Sequence, residues 1–355
     1  MGFPARGGGQ QGEGPAAALR RIAYLLETER AEPYKSRAFR RAAASVDEAG
    51  AARIGQLAAS GRLTDLPGVG AATGRVVEES LAGRTPAYQA ELEGRRPGPR
   101  DEAVASLVRQ LRGDLHSHSD WSDGGSPIEE MARAARDRGT EYLALTDHSP
   151  RLTVAHGLDA ERLTRQLDVV ADLNQRLAPF RILTGIEVDI LQDGSLDQDP
   201  ALLSRLDVVV ASVHSKLRMD SAEMTARMVA AVEQPFTDVL GHCTGRLIVG
   251  RGRPPSSFDA DAVFTACRRT GTAVEINSRP ERRDPPHELL VRAVAAGCLF
   301  SVDTDAHAPG QLEWQSYGCE QAVDAGVDAG RIVTTWGADR VTAWTASHRS
   351  GGAAD

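Results

Sequence analysis

Lysine is nearly missing from this sequence: Lys35 and Lys216 are the only two, although Lys and Arg together number 41. Positive charge is therefore carried almost entirely by arginine, which suits bidentate contacts to phosphate and leaves few candidates for Schiff-base chemistry. Cysteine is scarce as well. Cys243, Cys267, Cys298 and Cys319 stand far apart with no C-x-x-C pair, which excludes a disulfide framework and a zinc ribbon. No apolar run approaches the ~18 residues of a membrane span. The opening MGFPARGGGQQGEG has no signal-peptide core, and Arg6 stands where a myristoylation motif requires Ser or Thr. These absences predict a soluble, cytoplasmic protein with no membrane partner; the oligomeric state is not legible.

What is present is ordinary globular material, 41% hydrophobic and 25% charged over 355 residues, enough for a large domain plus a smaller one. The net charge of −8 is unevenly spread. Residues 1–100 hold 15 basic against 11 acidic side chains, or +4, which leaves 26 against 38, or −12, for residues 101–355. A mildly basic module suits a polyanion and an acidic remainder suits metal cations.

Residues 1–15 are Gly-rich and read as a disordered tail. Leu19, Ile22, Ala23 and Leu26 fall at helical spacing within 16–28, and 37–46 and 75–81 read as further helices, so 16–93 forms a small helical domain. Leu66-Pro67-Gly68-Val69-Gly70 is a tight hairpin between helices. The Pro/Gly/Arg-rich run from Gly94 opens a linker over 94–112. From Gly113 to about residue 345 short apolar strands alternate with amphipathic helices, the pattern of a parallel α/β domain, and 346–355 reads as a flexible tail. Strands are expected to end at His116, His148, Asp189, His214, His242, Asn277 and Asp305, with a last one over 331–335. The first helix is expected to take Ser126 as N-cap, Pro127 at its first position and Glu129 in a capping box. Seven or eight units in some 230 residues fit a closed barrel better than an open sheet.

The strand ends carry the chemistry. Asp114-Leu115-His116-Ser117-His118 is followed by Asp123, then Thr146-Asp147-His148, Glu187-Val188-Asp189, Ser212-Val213-His214, Gly241-His242 and Asp303-Thr304-Asp305-Ala306-His307. In a barrel of parallel strands these ends converge on one face. Six of the nine histidines fall there, beside carboxylates whose unpaired burial would cost several kcal/mol per ion, and a metal cluster removes that cost. His116, His118, Asp123, His148, Glu187, His214, His242, Asp305 and His307 are more donors than one ion uses, so two or three are implied. Imidazole-rich coordination favours manganese, zinc or iron over magnesium or calcium. Such clusters activate water and neutralise a phosphoryl group, so phosphoester hydrolysis is the expected reaction, with Glu187, His214 and Asp305 as catalytic residues. Arg151, Arg246 and Arg279 each follow a ligand motif or a strand end and are candidate phosphate contacts. Asp147, Asp189 and Asp303 are expected to fix the tautomers of ligand histidines.

The series D-L-H-S-H-S…S-D-G, T-D-H-S, G-I-E-V-D-I, S-V-H-S, G-H-C-T-G-R and D-T-D-A-H resembles the motifs of the PHP (polymerase and histidinol phosphatase) family, over roughly residues 113–342. That resemblance implies a distorted seven-stranded (β/α) barrel with a trinuclear centre. By it, His116, His118, Glu187 and Asp305 hold one ion, Glu187 bridges to a second held by His214 and His242, and Asp123, His148 and His307 hold a third. T-D-H-S-P-R, G-H-C-T-G-R and E-I-N-S-R look closest to the PHP domain of bacterial family X DNA polymerases, where it is a manganese-dependent 3′-to-5′ exonuclease. E-x-P-Y-K-S-R-A-F-R-R-A-A from Glu32, with L-P-G-V-G, resembles the small all-α helix-hairpin-helix domain of the same polymerases. The resemblance implies sequence-independent DNA binding through Lys35, Arg37, Arg40, Arg41, Gly68 and Gly70. Two departures matter. The polymerase palm that separates the modules in that family has only a short linker in its place, so no polymerase activity is expected. The helix from Ala71 to Glu78 lacks the lysine that relatives use on 5′-deoxyribose phosphates. DNA 3′-end processing is thus the leading expectation. A histidinol-phosphatase-type monoesterase and a non-catalytic DNA-binding protein with a structural metal cluster are the alternatives.

Overall fold

Apolar residues three and four apart build the first helices, α1 (Pro15–Thr28) and α2 (Pro33–Ala59), which pack with α3 (Ala71–Leu81) and α4 (Ala87–Gly94). Their core is Leu19, Ile22, Leu26, Phe39, Val46, Ile54 and Val77. The computed structural model describes residues 14–96 and 98–351; of the tail expected over 1–15, residues 1–13 lie outside them and Pro15 already opens α1. The chain divides into two units between Gly98 and Pro99. Within α2, Gly50 sits at φ 73 and breaks the helix, so two helical segments meet there. Before α3 the chain turns at Gly68, φ 76, and Ser45 Oγ donates to the Pro67 carbonyl at 2.6 Å, which holds the hairpin against α2.

The second unit starts with α5 (Glu102–Gln110) and continues as β1 (Gly113–Asp114), α6 (Ile128–Asp137), β2 (Tyr142–Leu145), α7 (Ala160–Leu177), β3 (Arg181–Asp189), α8 (Pro200–Leu203), β4 (Val208–Ser212), α9 (Ser221–Val232), β5 (Val239–Leu240), α10 (Ala260–Thr270), β6 (Ala273–Asn277), α11 (His287–Ala296), β7 (Leu299–Asp303), α12 (Gln315–Asp324) and α13 (Ala338–Gly351). The seven strands are parallel and neighbour one another in chain order, so every C-terminal end lies at the same rim. Side-chain hydrogen bonds stitch the seam between β1 and β7. Leu115 N donates to Asp303 Oδ1 at 2.8 Å, Thr304 Oγ1 to Asp114 Oδ2 at 2.6 Å, and an isolated parallel bridge joins Ser117 to Ala306. The result is a nearly closed seven-stranded barrel.

Four local expectations need correction. The stretch 94–112 is not all linker: Asp101 caps α5 by accepting from Val104 N, and Val104, Leu107 and Leu111 are buried in the barrel unit's core. The Pro/Gly/Arg run masked their helical spacing. In place of a strand over 331–335 stand two short 3-10 turns, Ala329–Arg331 and Val333–Thr335, with a single bridge from Ile332 to Phe300, because Thr334 spends its carbonyl on Arg112 N and its hydroxyl on Val302 N. Helix α6 begins at Ile128 with Pro127 as N-cap, and Ser126 Oγ is buried without a partner. The segment expected as a flexible tail continues α13 to Gly351; His348 Nδ1 lies 2.8 Å from buried Asp238 and Arg349 Nη2 3.1 Å from it. Residues 352–355 lie outside the described ones.

Candidate metal centre

An H-x-H at a strand end places both rings on one side, because residues two apart share a face. His116 and His118 do so, while Ser117 points away and donates to the Ala144 carbonyl at 2.7 Å. Asp123 is delivered by a loop that Asp147 ties down: its carboxylate accepts from Ser119 N, Ser119 Oγ, Ser122 Oγ and Gln166 Nε2 at 2.5 to 2.8 Å. Gly124 makes the turn possible, since a Cβ there would lie 2.6 Å from the Ser119 backbone. Asp305 adopts φ 52, a left-handed conformation rare outside glycine, which aims its carboxylate back into the barrel mouth.

All nine expected donors converge. Glu187, 1% exposed, is the hub. Its Oε2 lies 3.3 Å from His116 Nε2, 3.6 Å from His118 Nε2 and 2.8 Å from His148 Nδ1; its Oε1 lies 3.3 Å from His214 Nε2 and 2.9 Å from His242 Nε2. His118 Nε2 is 3.4 Å from Asp305 Oδ1. On the far side Asp123 Oδ1 is 3.5 Å from His148 Nε2 and 3.3 Å from His307 Nε2. Two donors each about 2.1 Å from one ion stand about 3.0 Å apart at a right angle and about 3.4 Å apart at a tetrahedral angle, so this spacing suits ligands of shared cations. His118 sits between two sets, with its ring 4.4 Å from that of His148 and 4.3 Å from that of His307.

Unpaired atoms point the same way. His116 Nε2, both ring nitrogens of His118 and of His214, His148 Nδ1, His242 Nδ1 and Glu187 Oε2 are buried without a hydrogen-bond partner. Orphans of this density are costly unless something binds them. Burial pushes the Glu187 carboxyl up, but His116, His214 and His148 outweigh it and hold it well below the usual carboxylate range. Asp305 is likewise held far down against burial by Arg279 and His118. Burial, then the neighbouring His307 and His148, push His118 down to about 3, which leaves it neutral and free to ligate.

The chain is similar to known proteins in both of its units. Residues 114–279 match the PHP domain and residues 13–86 the helix-hairpin-helix domain. A probable phosphatase of Shewanella oneidensis is 30% identical over 208 residues, covering 55% of this chain and 75% of that protein. The chain belongs to the PHP-domain family. Its barrel is a metal-dependent phosphoesterase domain of that family. The DNA polymerase/3′-5′ exonuclease PolX of Bacillus subtilis is 44% identical over 198 residues, which is 56% of this chain and 34% of that protein, so the chain spans about a third of its length. Among solved structures, histidinol phosphate phosphatase from Lactococcus lactis aligns with a TM-score of 0.44 at 19% identity, over 62% of this chain and 94% of that one.

Around this PHP centre the supporting residues differ from the sequence reading. Glu275, on β6, escaped it: its Oε1 lies 2.6 Å from His116 Nδ1 and its Oε2 accepts from His242 N at 2.5 Å. A carboxylate on the remote nitrogen fixes the tautomer and orientation of His116. The signal was available, an acid in the middle of an apolar strand, two residues before Asn277. Of the three aspartates expected in that role only Asp189 approaches a ring, 3.6 Å from His214 Nδ1; Asp147 holds its loop and Asp303 the barrel seam. Glu275→Gln is expected to lower metal affinity and turnover ten- to a hundredfold, read by Mn²⁺ titration of activity.

The candidate phosphate arginines divide. Arg279 is at the centre, Nη1 2.9 Å from His307 Nδ1 and 3.5 Å from Asp305 Oδ1. Arg246 is not: it donates to the carbonyls of Arg282 and Arg283 and so braces their loop. Arg151 is 69% exposed and pairs with Asp197. Arg282, not anticipated, lies 3.2 Å from Asp305 Oδ2 and keeps Nη1 buried and unpaired. In the N-terminal unit, Arg40 is withdrawn from any DNA role by a bidentate bond to buried Glu27, both contacts at 2.7 Å. Lys35, Arg37 and Arg41 are exposed with no side-chain partner among the described residues, beside exposed Gly68 and Gly70. No helix among the described residues is long and apolar enough to cross a membrane.

Proposed function

We propose that this chain processes DNA 3′ ends by divalent-ion-dependent hydrolysis, as a 3′-to-5′ exonuclease or 3′-phosphodiesterase/phosphatase, in the cytoplasm and without polymerase activity. The observation that carries the reading is the pairing, in one chain, of nine converging metal donors with a helix-hairpin-helix unit in which Lys35, Arg37 and Arg41 are exposed with no side-chain partner among the described residues. Residues 16–93 would hold DNA and residues 113–345 would cut it. Lys35, Gly68, Gly70 and Arg75 line a cavity of about 850 Å³ beside Tyr34 and Tyr88, where backbone N–H groups opening α3 and the two cations suit phosphates. The 44% identity to a protein named as a 3′-5′ exonuclease supports the same substrate class.

His116, His118, Glu187 and Asp305 would hold one ion, His214 and His242 a second with Glu187 between, and Asp123, His148 and His307 a third. Two or three manganese or zinc ions fit such donors, with iron also compatible. Bound there, they supply Lewis-acid activation of water and neutralise charge on the phosphoryl oxygens. Glu187, His214 and Asp305 would act as the catalytic residues, each contributing donor atoms that would hold the ions next to the scissile phosphate. Arg279 and the free Nη1 of Arg282 orient it, and Glu275 keeps His116 in its ligating tautomer.

Mn²⁺-dependent release of nucleotide or phosphate from 3′-hydroxyl and 3′-phosphate oligonucleotides, abolished by a chelator, is the expected result. Turnover of histidinol phosphate with both oligonucleotides untouched would instead favour a small-molecule phosphatase, the reading that the Shewanella relative supports. A chain that binds DNA and hydrolyses nothing would be the non-catalytic protein.

A further inference from the structure

The cations around the barrel mouth fall into two groups. Arg246 donates to the carbonyls of Arg282 and Arg283, Arg253 to that of Gly245, and Arg279 and Arg282 face Asp305, so these four are committed to loops or to the centre. Lys216, Arg218 and Arg251 are exposed and have no side-chain partner among the described residues. They come from adjoining loops. Lys216 and Arg218 follow His214 on the loop after β4, with Lys216 at φ 54. Arg251 lies on a hairpin after β5, closed by an antiparallel bridge between Leu247 and Arg253. The loops touch: Ser256 Oγ donates to the Leu217 carbonyl at 2.9 Å, and a Cβ on Gly245 would stand 2.7 Å from Leu217 Cδ2.

The hairpin is also fastened to the centre. Ile248 N donates to the Glu281 carbonyl at 2.8 Å, on the loop that carries Arg279 and Arg282. Its tip leaves Ile248 52% and Val249 46% exposed. Water contact of two branched apolar side chains between unpaired cations is unfavourable unless a ligand covers them. A nucleic-acid strand has the matching chemistry, with anionic phosphates along its outside and apolar base faces between.

We propose that these two loops form the rim that grips the DNA strand whose end enters the metal centre: Lys216, Arg218 and Arg251 take backbone phosphates, and Ile248 with Val249 packs against the face of a base. The proposal rests on the DNA-end reading above and names the surface that would distinguish a polynucleotide from a small phosphate ester. A small monoester has neither a second phosphate nor a neighbouring base to reach the rim.

The test compares kcat/KM for Mn²⁺-dependent cleavage of a 3′-recessed oligonucleotide with that for bis(4-nitrophenyl) phosphate. It uses the full chain as wild type, as K216A/R218A/R251A and as I248S/V249S, all exposed positions where truncation leaves no cavity. The ratio of oligonucleotide to small-ester kcat/KM is expected to fall at least fivefold in each variant, through the oligonucleotide KM. In the triple variant the salt dependence should also become shallower, by about 2 in the slope of log affinity against log salt for three lost phosphate contacts. A smaller fall in either variant overturns the rim while leaving the DNA reading in place. Wild-type protein that leaves the oligonucleotide intact overturns the rim and that reading together.

Discussion

The Glu187→Gln protein is expected to hydrolyse its substrate at least a thousandfold more slowly than wild type, equivalent to about 4 kcal/mol or more of lost transition-state stabilisation. The reason is the crowding around one carboxylate. Five imidazole nitrogens lie within 3.6 Å of its two oxygens, and among the described residues no other carboxylate faces ring nitrogens on both the His116/His118 side and the His214/His242 side; Glu275 meets the ring of His116 but only the backbone N–H of His242. Glutamine keeps the shape but replaces an anionic oxygen by an amide NH₂, which donates hydrogen bonds and does not ligate. The ions would lose an anionic ligand, and the surrounding imidazoles lose the carboxylate charge beside them. Metal content per chain should fall in parallel, while DNA retention by the N-terminal unit stays within twofold of wild type by fluorescence anisotropy. Full metal content with more than a tenth of the wild-type rate would refute the hub role.

Stripping divalent ions should lower the thermal stability of the barrel as well as its activity. Without cations, buried imidazole nitrogens and Glu187 Oε2 stay unpaired. An ion bound only by the folded state, at a thousand times its dissociation constant, contributes about 4 kcal/mol. At roughly 2 to 4 °C per kcal/mol for a unit of this size, one ion moves the midpoint by on the order of 10 °C. Calorimetry of the chain with Mn²⁺ and with EDTA would resolve this. The transition of the first unit, whose sequence to residue 98 has no histidine and no cysteine, should not move. A barrel transition insensitive to EDTA would mean that the donors are held by protein contacts alone.

The rule that limits sequence reading is visible in the arginines. Arg246 and Arg282 belong to similar polar loops, yet the first braces carbonyls and the second faces Asp305. Arg40 stands in the same basic run as Arg37 and Arg41, yet its guanidinium turns inward onto Glu27. A guanidinium serves carbonyl, carboxylate and phosphate equally well, so its type and position in the chain leave the partner open.

The sequence by itself determined the alternation of strand and helix, the break between two units and the nine donors, because each is a local pattern: apolar period, strand-end position and residue chemistry. Parallel strands in chain order then bring donors 191 positions apart, His116 and His307, to one rim. Only the tertiary structure decided what lies behind that rim. Glu275 became the partner of His116, Asp303 a seam bond, α5 part of the barrel and residues 331–335 a pair of turns, since each outcome depends on which backbone group or side chain arrives opposite it. Periodicity shows which face a residue takes, and packing supplies the atom it meets.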